Sequence, residues 1–181
     1  MNCYGAKDLA DGFRTVRKNT VTIAEEIPAE KYSFRATPET RSVGELLVHI
    51  ALAITFQYQV HAEQHLTTLE GFDFPALMQR MIGEEKMPRT KDTTLALLRA
   101  SGEKWASWVD GLSDDFLAER VQMRAGMVPP SKTRFEMILS VKEHEMHHRG
   151  QLMLIERIFG MVPHLTRAMQ ERLAAASSAK S

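Results

Sequence analysis

The stretch Glu143-His144-Glu145-Met146-His147-His148-Arg149-Gly150-Gln151 places three of the chain's seven histidines within five positions. On an α-helix each residue advances by about 100°, so His144 and His148 lie about 40° apart, one turn above the other on one face. Met137, Val141, Leu152, Ile155 and Phe159 recur around them at helical spacing, and the two slots left open in that apolar stripe are 144 and 148. The pattern predicts a long helix whose core-facing seam carries two histidines. Imidazoles among Met, Val, Leu and Phe cost free energy unless each nitrogen finds a partner. A pair at this spacing also occurs on solvated helix faces, but the seam position favours a shared metal ion, which satisfies both rings at once. His147 falls about 100° away from His148, off the stripe, as a flanking or solvent residue.

Working outward, Thr133-x-x-Glu136 is a capping box that opens this helix, and Gly160 closes it after Phe159. Upstream, residues 112–132 read as a long irregular connection with a short extended piece at 120–123 and a stop at Pro129-Pro130. Loops of that length inside a domain often line a site. A third helix is expected to about Val109, with Asp92 as its N-cap, Leu95, Leu98 and Trp105 facing inward, and Gly102 as an interruption of modest cost. Phe74-Pro75 begins a short helix to about Ile82, and residues 83–89 break the pattern again.

Ser42-x-x-Glu45 caps a second helix to about Leu66. One of its faces carries Val43, Leu46, Leu47, Ile50, Ile54 and Tyr58, and the other Leu52, Phe56 and Val60. A helix apolar on two sides is packed on two sides. His49 sits at the shoulder between them, where a lone histidine is ordinarily a hydrogen-bonded core residue. His61 and His65 form a second pair four residues apart, among Gln59, Glu63 and Gln64, and read as a solvated helix end. The first helix covers residues 6–27, and the connection 28–41 tucks Tyr32 and Phe34 against the bundle. Residues 1–163 are read as one helical domain, and 164–181 as a C-terminal helix (166–176) with a frayed tail.

Composition narrows the function. Lys plus Arg (23) balance Asp plus Glu (23), which argues against a phosphate-backbone binder and hence against nucleic acid. The one cysteine, Cys3, allows no disulfide within the chain and no thiolate cluster. It fits the reducing cytoplasm and is expected to be inert in a frayed terminus. No uninterrupted apolar run of membrane-spanning length is visible, nor a signal peptide, so no membrane partner is expected. Eleven methionines point to an adaptable core or pocket.

Four amphipathic helices without a credible sheet make an all-α bundle, and bundles build metal sites from side chains on facing helices. If the second helix packs beside the last major one, His49 can supply a third nitrogen to His144 and His148. Three imidazoles leave a position open, the arrangement of a catalytic ion rather than a structural one.

Ser42-Val43-Gly44-Glu45-Leu46-Leu47-Val48-His49-Ile50-Ala51, followed by His144-x-x-x-His148-Arg149-Gly150-Gln151-Leu152, closely resembles the DinB/YfiT-like family of metalloenzymes. This is the DNA-damage-inducible family, unrelated to the translesion polymerase of that name. The resemblance runs from the first helix through Gly160-Met161-Val162-Pro163. It implies an antiparallel four-helix bundle, often a homodimer, in which His49, His144 and His148 hold a divalent ion, zinc or nickel. It also implies a metal-dependent enzyme such as a low-molecular-weight thiol S-transferase, or a hydrolase-like relative, acting on a small-molecule thiol or electrophile. The competing reading is a non-catalytic, stress-related binding or dimerisation bundle. Around the ligands, Glu45 is explained by its cap, Arg149 as a surface or inter-helix ion-pair donor and Gly150 by close helix approach. Gln151, about 60° from His148, is left to orient a ligand or a substrate.

Overall fold

The computed structural model describes residues 4–178; Cys3 and the last three residues of the expected tail lie outside that range. Four stretches carry the core. Helix α1 (Ala6–Glu26) is followed by α2 (Val43–Leu52), which continues through α3 (Ile54–Tyr58) into a π-helical turn, Gln59–Glu63. Helices α4 (Phe74–Glu85), α5 (Lys91–Asp110) and α6 (Asp114–Ala118) come next, then α7 (Arg134–Ile158) and α8 (His164–Ser178). The chain is mostly helical. Helix α1 packs on α5 and α7, and α2 packs on α5, α4 and α7, so α1, α2, α5 and α7 share one core.

Two clusters fill that core along its length. At one end Ile23, Ile27, Val43, Leu47, Ile50, Leu98 and Leu152 are buried together. At the other, Phe13, Trp105, Ala106, Val109, Ile138 and Val141 are. Tyr32 and Phe34 do close on the bundle: the Tyr32 hydroxyl donates to the Ala24 carbonyl at 2.7 Å, and Phe34 meets Phe159 edge-on at 4.9 Å. Both capping boxes are present, at Ser42/Glu45 and Thr133/Glu136, and Gly160, at φ +77°, takes the left-handed conformation that ends α7.

Several expectations are corrected. Helix α5 is capped by Thr90, whose side chain accepts from the Thr93 amide, and Asp92 lies in the first turn. Helix α4 does not stop at Ile82: Gly83 is tolerated inside it, and the extra turn carries Glu85 into the core. The region 112–132 contains α6 and the strand β1 (Arg120–Gln122), paired antiparallel with β2 (Ser131–Thr133). Thus a small sheet exists where none was expected. The C-terminal segment is helical from His164 through Ser178, so its tail does not fray at 176. By length and composition Val43–Glu63 would pass as a membrane span, which a count of uninterrupted apolar residues overlooked. Its buried residues pack with α1, α5 and α7 in the two clusters above, and Val60 packs with Leu69, Val121 and Met137.

Gly102 has a packing role. A Cβ there would sit 2.8 Å from Arg17 Cγ, so the missing side chain lets Arg17 lie against α5. The Arg17 guanidinium donates to Glu145 on α7 (2.9 and 3.0 Å), to the Leu98 carbonyl and Ser101 on α5, and to the Ile50 carbonyl on α2. One buried cation therefore joins all four core helices. It does so at the residues directly after His49 and His144.

Candidate metal centre

The capping box fixes the start of α2, and His49 follows nearly two turns later, 7% exposed. On α7 the buried series is Arg134, Ile138, Val141, Glu145, His148, Leu152 and Ile155. His148 lies on that seam and His144 is half-buried at its edge. The packing of α2 on α7 brings the three rings together. His144 Nε2 stands 3.1 Å from Nε2 of His49 and 3.1 Å from Nε2 of His148, and all three ligand atoms lie within 4.8 Å of one another.

Proton positions follow from the outer nitrogens. His49 Nδ1 lies 2.7 Å from Glu85 Oε1, and an ionised carboxylate only accepts, so Nδ1 carries the hydrogen and Nε2 is left with its lone pair. His148 Nδ1 lies 2.8 Å from Gln151 Oε1, while the Gln151 amide nitrogen faces His147 Nε2 at 3.3 Å. The same tautomer results. Two bare Nε2 atoms are therefore aimed at the His144 Nε2, which has at most one proton to offer them. His144 Nδ1 is buried without a partner among the described residues. No hydrogen-bond scheme within the trio satisfies all three Nε2 atoms, whereas a cation on which they converge does. The donor set fits a divalent metal that accepts imidazole.

Electrostatics favours the neutral, ligating form. Burial, and then the neighbouring His148 and His49, push His144 down to about 4. Burial likewise lowers His148, against the opposing effect of the hydrogen bond that its Nδ1 donates to Gln151. Glu85 is buried, which disfavours its charge, but hydrogen bonds from His49 and Arg41 outweigh this and hold the carboxyl below its usual range. Arg41 Nε donates to Glu85 Oε2 at 2.6 Å. Arg41, Glu85 and His49 thus form a relay that ends on the trio. A cavity of about 600 Å³ opens beside it, lined by Arg41, Glu85, His148 and Gln151 together with Ile82 and Leu154.

The expected ligands His49, His144 and His148 are thus assembled in one place. Gln151 orients His148, and His147 is exposed off the seam. Glu85 was missed, because its helix was expected to end three residues earlier. Glu145 was also missed, although it occupies the same stripe one turn after Val141. The 112–132 region does not line the cavity at His148. His61 is not at a solvated helix end: it is fully buried and bonded to Gln57 and Arg134, whereas His65 is exposed. Neither approaches the trio. Arg149 makes no ion pair among the described residues, and its buried Nε lacks a protein partner. Gly150 is exposed with nothing within 4 Å of a would-be Cβ, so it serves no close approach within the chain.

A search of curated proteins finds no match. Among solved structures, the chain is similar to a DinB-like protein, YjoA, from Bacillus subtilis. The two share 21% identity and a TM-score of 0.62, with 85% of this chain and 93% of that one covered, a likeness of fold. The family profile described as DinB superfamily matches residues 13–152, a span that contains all three histidines. The chain belongs to the DinB superfamily.

Proposed function

We propose that this protein binds a divalent metal ion, zinc or nickel, through Nε2 of His49, His144 and His148, and that it is a metal-dependent enzyme of the low-molecular-weight thiol S-transferase type. The observation that carries the reading is the convergence of three Nε2 atoms, two of them fixed as lone-pair donors by Glu85 and Gln151. Bound there, the ion would lower the pKa of a coordinated thiol or water and supply an anionic nucleophile at neutral pH. The protein's part is to hold the imidazoles neutral, lock their tautomers and offer the adjoining cavity to a small thiol or electrophile. Three protein ligands leave a position for that group.

The core of α1, α2, α5 and α7 is read as an antiparallel four-helix bundle, and the protein as a cytoplasmic homodimer. Met146, Leu154 and Ile158 are exposed on α7 at 44%, 60% and 54%, and with Gly150 they form a stripe at four-residue spacing. A bare glycine in the middle of an apolar stripe suits the approach of a second helix. Leu154→Glu should convert the dimer to a monomer in sedimentation equilibrium.

Metal analysis of protein purified without a histidine tag tests the site. One equivalent of zinc or nickel is expected in the wild type, lost in His144→Ala and His148→Ala and retained in His147→Ala and His61→Ala. Absence of metal and of affinity for either ion overturns the reading. A protein that gains thermal stability from metal but turns over no pairing of cellular thiol and electrophile is the non-catalytic binding bundle instead.

A further inference from the structure

A second cavity, of about 270 Å³, lies between α3, the start of α4, the β1–β2 hairpin and α7. None of the three metal-site histidines lines it; its nearest approach along α7 is Ser140, one turn before His144. Its walls are Phe and Met side chains, with Phe56 stacked edge-on against Phe72 (5.4 Å) and Phe74 (5.2 Å). Two cations, Arg124 and Lys132, and no acid line it.

One polar group in this wall is built in from behind. Arg134 is 1% exposed, held by Glu119 at 2.8 Å, and points Nη1 at His61 Nδ1 at 2.8 Å. A guanidinium only donates, so His61 Nδ1 accepts and its Nε2 carries the hydrogen. That hydrogen goes to Gln57 Oε1 at 3.0 Å. The chain of donors from Arg134 through His61 fixes the orientation of the Gln57 amide and leaves its NH2 group facing the cavity. Gln57 is 8% exposed, lines the cavity, and its NH2 has no partner among the described residues. With its oxygen committed to His61, the amide has only its NH2 hydrogens to offer an acceptor that enters the cavity. Lys132 is half-buried in β2, and among the described residues its ammonium makes no hydrogen bond or ion pair. Glu136, which senses its charge, is spent on Thr133 in the helix cap. Arg124 is engaged with the Phe72 carbonyl.

We propose that this cavity is a binding site for a small monocarboxylate with an aliphatic or monocyclic aromatic body, its carboxylate received by the Gln57 amide and the Lys132 ammonium and its body by Phe56, Phe72, Met123 and Met137. The volume lies near the lower end of the ~300–1000 Å³ common for small-molecule sites, which limits the body to a single ring or a medium chain. The site is independent of the metal trio.

Isothermal titration calorimetry of the full chain with octanoate tests it, with octan-1-ol as the uncharged probe of similar body. Saturable one-to-one binding of octanoate is expected, weakened about tenfold by Lys132→Met and at least as much by Gln57→Glu. The latter keeps an acceptor for His61 while removing the NH2 donor. Octan-1-ol should bind more weakly than octanoate. Metal removal, or His148→Ala, should leave octanoate affinity within about twofold. Lys132 lies on a surface hairpin, so its variant reports on the site even where Gln57→Glu unfolds, which circular dichroism will show. No saturable heat, equal affinity in wild type and Lys132→Met, octan-1-ol binding as tightly as octanoate, or loss of octanoate binding with the metal would each overturn the proposal.

Discussion

Glu85 carries the most demanding test of the metal centre, since it touches no ion and would act wholly through His49. Glu85→Ala removes the acceptor 2.7 Å from His49 Nδ1 and the partner of Arg41 in one step. A buried N–H left without an acceptor costs about 1–3 kcal/mol. The imidazole is also freed to take the other tautomer, with its proton on Nε2, which cannot ligate. Loss of such an outer partner typically weakens metal binding by about 10- to 100-fold, equivalent to about 1.4–2.8 kcal/mol. Glu85→Gln separates geometry from charge. Its amide oxygen still accepts from His49 and its NH2 turns toward Arg41, which is exposed enough to swing into solvent. A loss of about tenfold or less is expected, because the neutral acceptor still fixes the tautomer. Competition for zinc between metal-free protein and a chromogenic chelator measures both, with circular dichroism confirming the fold. Unchanged affinity in Glu85→Ala, or equal losses in the two variants, would refute the view that Glu85 works by fixing the His49 tautomer.

Three further outcomes follow from the same structure. Because His144 is held down to about 4 and His148 below its usual range, proton competition should set in below the pH of free imidazole, about 6.5, at both ligands and furthest below it at His144; zinc titrations across that range check it. Glu156 is fully buried with neither carboxylate oxygen partnered among the described residues, and burial, then Glu26, raises it from 4.5 to about 7. Between those values the unfolded chain releases a proton that the folded one keeps, so this group's contribution falls as pH rises and its cost is complete above about 7. The difference is worth about 3 kcal/mol, and Glu156→Gln should flatten that part of the denaturant-midpoint profile. Gly102→Ala, good for an isolated helix, should instead destabilise by about 1–3 kcal/mol, since its Cβ meets Arg17 Cγ at 2.8 Å; urea titration measures this, and a stabilised variant would remove the packing role given to Gly102.

What the sequence made legible, and what it did not, divides along contact range. The caps at Ser42 and Thr133 depend on residues three apart, and the His144/His148 pair on residues four apart, so local spacing suffices to read them. His49 needed only the assumption that α2 and α7 are neighbours. The misreadings depend on contacts distant in sequence. Glu85 is drawn in by His49 and Arg41, 36 and 44 residues away, and helical periodicity carries no sign of either. His61 sits among Gln59, Glu63 and Gln64, a polar neighbourhood that suggests solvent, yet Arg134 reaches it from 73 residues downstream.

Glu145 is the instructive case. It stands on the stripe traced by Val141, His148 and Leu152, where a charged residue in a core position ought to prompt a search for its counter-ion. The same rule singles out Arg17, one residue after Val16 on the buried face of α1. Both were legible as anomalies; their pairing at 2.9 Å was not. An ion pair this deeply buried is weak support for stability in itself, because desolvation offsets much of the attraction. Its location suggests a different use. Arg17 is bonded to Glu145 and to the Ile50 carbonyl, each one residue past a proposed ligand. The pair therefore fixes the register of α7 against α2, the one relation between helices on which convergence of three imidazoles depends.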